Sequence, residues 1–223
     1  MTSKKLGIVA ILLVVVFLGG CIGSSTGKYG TTASSSTSAV TSTSTSTSSS
    51  VATSSSPVLS PWKADGVIEK NEYPHELSLA GGKFTVYWRN DDEYLYMALK
   101  GKTTGWVAIG FEPSTAMKDA DMIIGWVKDG KATVVDAYST GLYGPHPPDE
   151  KLGGSNDILE YSGKEENGYT VIEFKRKLNT GDKYDKAFKP GQEIKFIFAM
   201  ADADDFTAKH NVAKGSGKLK LDG

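Results

Sequence analysis

Two apolar runs, GWVAIGF at residues 105–111 and ADMIIGW at residues 120–126, decide the fold of this chain. Both are short and rich in aliphatic and aromatic residues, which is typical of buried β-strands. Working outward from them, comparable runs occur at residues 84–88, 94–99, 132–138, 169–174, 194–200 and 219–221. The pairs Asp129-Gly130 and Asn167-Gly168 each precede one of these runs and indicate tight hairpin turns. Strands at such regular spacing, with no convincing amphipathic helix, predict an all-β protein built as a β-sandwich.

The N-terminus has the features of an export signal. Lys4 and Lys5 precede an apolar run from Leu6 to Leu18, which has the length of a signal-peptide core and is short for a membrane-spanning helix. The run ends in LGGC, which resembles the lipobox of prokaryotic lipoproteins, with Cys21 as the lipidated first residue. An uncleaved signal anchor is the alternative. Both interpretations place the remainder of the chain outside the cytoplasm, anchored to the outer face of the cell membrane.

A long tether follows the cysteine. Residues 23–60 are nearly all Ser, Thr, Ala and Gly, with too few large apolar side chains to offset the entropy lost on ordering. A flexible chain of roughly 36 such residues has a root-mean-square reach of about 35 Å. The sequence therefore divides into a signal peptide (residues 1–20), a lipidated cysteine with a disordered tether (residues 21–60) and one folded domain (residues 61–223).

Composition excludes several classes of function. The net charge of −1 and isoelectric point of about 6.3 give no reason to expect a nucleic-acid partner. The single cysteine rules out an internal disulfide, and the sequence has no CxxCH motif for covalent haem. Neither a GxSxG nucleophile motif nor a phosphate-binding loop is present. No catalytic constellation is therefore apparent in the sequence, and we do not expect an enzyme.

The order of motifs in the folded part resembles the DOMON domain family. The resemblance rests on GWVAIGF, then Met117, then ADMIIGW, followed in order by Asp136, His210 and Lys214-Gly215, and it covers nearly all of residues 61–223. This family occurs beside copper monooxygenase domains and in the cytochrome domain of cellobiose dehydrogenase. The resemblance implies an immunoglobulin-like β-sandwich. It also implies a pocket for b-type haem or, in other members, for sugars and other small ligands.

The resemblance also implies which residues form the site. Haem-binding members carry an axial Met in the loop after the first of these strands and an axial His near the last strand, and those positions match Met117 and His210. Trp106, Trp126 and His146 are the further residues expected at the pocket. A thioether ligand is soft and favours ferrous iron. With both axial positions of a non-covalent haem b filled, single-electron transfer to a redox partner protein or an extracellular acceptor is the expected function.

Several alternatives remain open at this point. A loop methionine is often a gap-filler, an isolated histidine is often solvated, and Lys209 is a rival ligand beside His210. The pocket could hold a glycan without redox chemistry, or the sandwich could be a purely structural surface domain. We expect Met97, Met122 and Met200 to lie in the core. The cluster Asp202, Asp204 and Asp205 could bind calcium, but it lacks a recognised calcium-loop spacing, so a solvated loop is favoured.

Overall fold

The computed structural model describes residues 58–223, so the predicted signal peptide, Cys21 and most of the predicted tether lie outside the described residues. The described part contains ten strands, one single-turn 3-10 helix at Ala80–Gly82 and one short α-helix, α1 (Asp149–Leu152). The strands are β1 (His75–Leu79), β2 (Phe84–Asn90), β3 (Tyr94–Gly101), β4 (Val107–Phe111), β5 (Asp121–Lys128), β6 (Lys131–Tyr138), β7 (Ile158–Glu166), β8 (Tyr169–Lys177), β9 (Glu193–Met200) and β10 (Ala213–Lys220). Within residues 58–223, no helix is long and apolar enough to cross a membrane.

The strands form two five-stranded sheets in which every pairing is antiparallel. The first sheet has the order β1-β2-β3-β8-β7, and the second sheet has the order β10-β9-β4-β5-β6. This architecture confirms the predicted all-β sandwich. Both predicted hairpin turns are also confirmed, because Asp129-Gly130 has φ values of 51° and 73°, and Asn167-Gly168 has φ values of 54° and 76°.

The main core lies between the two sheets and follows the alternation of side chains along each strand. Residues at every second position point inward, as the fully buried pair Ile172 and Phe174 of β8 shows. Contact between the sheets is direct, because the rings of Phe84 and Phe198 stack with centroids 4.6 Å apart. Met97 and Met200 belong to this core, as predicted, and neither side chain is exposed.

The second sheet is unusual because its outer face is also covered. All five residues of β4 are buried, and so are the first five residues of β5. The outward side chains here are apolar, and they form separate clusters around Trp106, Ile124 and Met122. Met122 is therefore buried as predicted, but on the outer face and not in the main core. A sheet face of this kind needs a cover, which the loops at residues 112–120, 139–148 and 201–212 provide.

The segment at residues 60–73 lies on the outer face of the first sheet. Glu173 holds it there, since one carboxylate oxygen accepts hydrogen bonds from the amides of Gly66 (2.7 Å) and Asp65 (3.1 Å). The other oxygen accepts a bond from the Tyr73 hydroxyl at 2.8 Å. Burial is the main cause that raises the pKa of Glu173 to about 7. The two broad faces of the sandwich are thus covered by different parts of the chain.

Candidate ligand pocket

A cavity of about 420 Å³ lies on the outer face of the second sheet. A second cavity of about 430 Å³ adjoins it. The two cavities are parts of one site, because they share six lining residues: Ala108, Met117, Met122, Tyr143, Ala199 and His210. Volumes of this size are typical of pockets for small ligands and cofactors.

The floor of the pocket is apolar and made of small residues. Ala108 of β4 is paired with Ile124 of β5 on one side and with Ala199 of β9 on the other. Gly110 continues this row, and an added Cβ there would already lie 3.0 Å from Ile197 Cγ1. Small residues on β4 and β9, Ala108, Gly110 and Ala199, lie beside the larger Ile124 of β5 and leave room above the sheet for a ligand.

Met117 is held at the edge of this floor by backbone hydrogen bonds. Its amide donates to the carbonyl of Leu142 (3.2 Å), and its carbonyl accepts a bond from the amide of Ala120 (3.2 Å). On either side, Ala116 and Asp119 have positive φ values of 53° and 61°, which fold the loop tightly. The resulting loop conformation places a partly buried thioether in the pocket wall, although Met117 belongs to no strand.

His210 and His146 come from two other loops and line the same cavity. The Nδ1 atom of His146 is buried and has no hydrogen-bond partner among residues 58–223. Burial, with a smaller contribution from nearby His210, lowers the pKa of His146 below its ordinary value. The pocket therefore favours the neutral form of the His146 imidazole.

The two predicted tryptophans have different positions. Trp106 lines the cavity, and its buried Nε1 lacks a hydrogen-bond partner within the described residues. Trp126 is outside the set of cavity-lining residues and instead stacks on Phe206, with centroids 6.2 Å apart and planes 13° apart. Since Phe206 does line the cavity, Trp126 supports the wall from behind.

The open side of the pocket is more polar than its floor. Lys151 and Lys209 both line it and are both exposed. Tyr143 also lines the cavity, with 85% of its surface accessible to solvent. An apolar floor below a cationic rim suits an amphiphilic ligand that carries carboxylates.

Two of the three aspartates in the acidic cluster at residues 202–205 make local hydrogen bonds. Asp202 accepts a hydrogen bond from the Asn211 side-chain amide at 2.6 Å, and Asp205 accepts one from the Thr207 hydroxyl at 2.7 Å. Asp202 and Asp205 are exposed, as predicted for a solvated loop, whereas Asp204 is partly buried. Their hydrogen bonds help to shape the loop that carries His210.

These features define a two-sheet β-sandwich module with an apolar pocket on the outer face of one sheet. The DOMON domain family matches residues 80–201, which is more than half of the chain, and the chain belongs to this family. The resemblance identified from the sequence is thereby confirmed at the level of the family.

Curated relatives that match this chain are much longer proteins, of which it covers only a part. DBH-like monooxygenase protein 1 of Mus musculus is 30% identical over 153 residues, which cover 67% of this chain and only 24% of that protein. Among solved structures, the cytochrome domain of Myriococcum thermophilum cellobiose dehydrogenase aligns with a TM-score of 0.49 and 14% identity, covering 66% of this chain and 81% of that chain. The cytochrome b domain of pyranose dehydrogenase from Coprinopsis cinerea aligns with a TM-score of 0.48 and 15% identity. This alignment covers 65% of this chain and 80% of that chain. The chain therefore spans about a quarter of its curated relative.

Proposed function

We propose that this chain is a b-type cytochrome that transfers single electrons, with haem held between Met117 and His210. One observation carries the proposal: these two side chains, distant in sequence and on separate loops, line the same apolar cavity. A thioether and an imidazole form the ligand pair expected for a haem with both axial positions filled.

The other pocket residues fit the same group. Haem b supplies an iron centre that alternates between the ferric and ferrous states. The flat floor of Ala108, Ile124 and Ala199 matches a planar apolar ring system and excludes water from it. The unpartnered Nε1 of Trp106 and the ammonium groups of Lys151 and Lys209 are donors available to the propionate carboxylates.

The pocket lining favours haem over a sugar, the alternative ligand that the sequence leaves open. A sugar site needs convergent polar groups that hydrogen-bond to ring hydroxyls, whereas small apolar residues form the floor here. The thioether of Met117 offers a sugar only a weak acceptor.

We also propose that the domain works outside the cytoplasm, with the lipidated Cys21 as its anchor. The export signal, the LGGC sequence and the Ser/Thr-rich tether support this location. The electron partner is then a redox protein at the membrane or an acceptor beyond it.

A haem titration of the purified full chain tests the proposed function. We expect one haem per chain, with a sharp low-spin Soret band and resolved α and β bands after reduction by dithionite. Met117→Ala and His210→Ala should each lose the six-coordinate spectrum, because each removes one axial ligand.

Two matched variants control for indirect effects. Met122→Ala removes a thioether from the floor of the same cavity, and His75→Ala removes an imidazole from the first sheet. Both should keep the low-spin spectrum. Failure to bind haem stoichiometrically, or unchanged spectra in both ligand variants, would reject the proposal.

A further inference from the structure

The outer face of the second sheet carries a strip of lysines beside the pocket. In β10, an added Cβ on Gly215 would lie 2.7 Å from Cε1 of the core residue Phe198, and Gly217 opposes a second core phenylalanine in the same way. These glycines therefore face the core, and the residues that alternate with them point outward. The neighbours of Lys195 in β9 are core residues, so Lys195 points outward too. The resulting lysine strip consists of four exposed residues: Lys195, Lys214, Lys218 and Lys220.

The positive charge of the lysine strip is only partly compensated. Within β9 and β10, the single acidic residue is Glu193, whose Oε1 lies 2.8 Å from Nζ of Lys218. The hydrogen bond from Lys218 is the main cause that lowers the pKa of Glu193, and the charges of Lys195 and Lys220 lower it further. Four lysines and one glutamate leave a net charge of +3 on this surface, whereas the whole chain carries −1.

Next to the lysine strip, the loop at residues 139–148 exposes two large apolar side chains. Leu142 is 46% exposed and Tyr143 is 85% exposed, and these two residues form the loop tip. Tyr143 lines the same cavity as Lys214, so the loop tip and the lysine strip border one opening. Side chains of this size gain free energy when they leave water, and their exposure side by side indicates a surface that a partner covers.

Backbone hydrogen bonds hold the loop tip in place. The Met117 amide donates to the carbonyl of Leu142 at 3.2 Å. On the other side of the tip, the amide and the hydroxyl of Thr140 both donate to the carbonyl of Pro145, at 3.0 and 3.1 Å. The tip is therefore ordered before it meets a partner, so little conformational entropy is lost when it is covered.

We propose that the lysine strip and the loop tip dock on an anionic lipid surface, with the tip in the headgroup region. Ammonium groups are attracted to lipid phosphates, and the amphipathic ring of a tyrosine is suited to the level of the headgroups. An adjacent leucine adds apolar area that the interface can bury. Since the strip and the tip border the pocket opening, docking would turn the pocket towards the lipid.

The predicted anchor favours a lipid surface over a soluble acidic protein. The predicted tether of residues 21–60 has a root-mean-square reach of about 35 Å, and a surface held so near acts at an effective concentration in the millimolar range. A weak contact is then sufficient. Residues 60–73 lie on the first sheet, and the two sheets of a sandwich are only about 10 Å apart, so this reach lets the second sheet turn towards the membrane.

Docking does not depend on the ligand in the pocket. Lys151 and Lys209, the lysines that would bind haem propionates, are not members of the lysine strip. A filled pocket therefore leaves the charge of the strip unchanged. If the pocket holds haem, docking would bring it close to electron donors dissolved in the bilayer.

Sedimentation with lipid vesicles tests the docking surface. The chain from Ile22 to Gly223 lacks the predicted signal and anchor and retains every described strand. We expect it to bind phosphatidylcholine vesicles with about 30% phosphatidylglycerol at least about tenfold more strongly than phosphatidylcholine alone. Salt at about 0.5 M should abolish this difference by screening the charges. The haem-free chain is used, so docking and haem binding can fail separately.

Charge-reversal variants locate the cationic part of the surface. Lys195→Glu combined with Lys220→Glu should weaken binding to the anionic vesicles at least about tenfold, because attraction becomes repulsion. The matched control combines Lys102→Glu with Lys177→Glu, at exposed positions that follow β3 and end β8 of the first sheet. It changes the net charge by the same amount and should leave binding nearly unchanged.

A second pair of variants tests the loop tip. Leu142→Ser combined with Tyr143→Ser should weaken binding at least about fivefold, because the interface then buries less apolar area. The control is Leu159→Ser combined with Tyr161→Ser, a similarly exposed pair on β7, which should have no effect.

Three results would overturn the proposal. The first is equal binding to both kinds of vesicle, or none. The second is an equal loss in the variants and in their matched controls. The third is binding of poly-glutamate, as a model of an acidic protein, that depends on Lys195 and Lys220 while the vesicles remain unbound.

Discussion

At Gly105, a single added methyl group is expected to damage both the fold and the pocket. This residue precedes β4 and lies against the backbone at the start of the loop that carries His210. A Cβ at Gly105 would stand 2.2 Å from Ala203 N, 2.6 Å from Ala201 O and 2.6 Å from Asp202 C. All three contacts are backbone atoms, so no side chain can rotate to relieve them. Gly105→Ala must therefore displace the loop.

The size of the effect follows from these distances. Real Cβ contacts stay above 3.0 Å, so the loop would retreat by at least about 0.8 Å. Two backbone hydrogen bonds of 3.0 Å join the same segments, from Trp106 N to Ala203 O and from Ala201 N to Trp106 O, and this shift would break both. Overpacking costs about 1–3 kcal/mol and each lost bond about 1 kcal/mol, which sum to about 3–5 kcal/mol.

Urea unfolding followed by tryptophan fluorescence measures this loss. Gly168→Ala is the matched control, because nothing lies within 4 Å of its added Cβ and only its φ of 76° is unfavourable. That control should cost about 1 kcal/mol. Equal stability of the two variants would refute the argument from the close approach. The displaced loop should also weaken haem binding in Gly105→Ala and leave it unchanged in the control.

Three further predictions concern other parts of the chain. Because the pKa of Glu173 is raised to about 7 from 4.5 when folded, its contribution to stability is complete below pH 4.5 and is lost as the pH rises through 7. Urea titrations at pH 4.5 and 8 measure how much the free energy of unfolding changes with pH. Glu173→Gln should reduce this change by about 3 kcal/mol, and the same change in the variant and the wild type would contradict the prediction. Arg176→Met leaves buried carboxylates unpaired and should lower the free energy of unfolding by about 3–5 kcal/mol. Lys218→Met breaks an exposed ion pair and should leave the free energy of unfolding nearly unchanged. Cys21→Ala should move the chain from the membrane fraction to the soluble fraction, and continued membrane association would favour an uncleaved anchor.

Eight of the ten strands could be predicted because their sequences show a buried face. The missed strands, β1 and β7, both lie at an edge of the first sheet. In β7, ILEYSGKEE contains no fully buried residue, so its pairing to β8 leaves no hydrophobic pattern. For the same reason the last strand was predicted too short: β10 spans Ala213–Lys220, but Leu219 is its only buried residue.

The pocket was predictable in part. Family resemblance indicated Met117 and His210, but no local pattern could show that two separate loops meet over one sheet face. Trp106 precedes β4 and Trp126 lies in β5, and the sequence does not show that the first lines the cavity while the second packs on Phe206. From the sequence, the neighbouring aspartates at residues 202–205 were the group considered for cation binding. The buried residues Asp121 and Asp136 lie on neighbouring strands of the predicted β5–β6 hairpin, but the order of residues does not show that Asp185 lies beside them.

The attachment of residues 60–73 has a mechanical consequence. Tension applied from the N-terminal side enters the domain through the hydrogen bonds to Glu173 and through Arg89, whose Nη1 donates to the carbonyls of Ser60 (2.8 Å) and Glu72 (3.2 Å). These bonds all lie on the first sheet, whereas the pocket opens on the second. A pull on the chain would therefore first separate residues 60–73 from the outer face of the first sheet. The pocket on the second sheet would keep its shape, so a mechanical load on the domain would not change how the pocket holds a ligand.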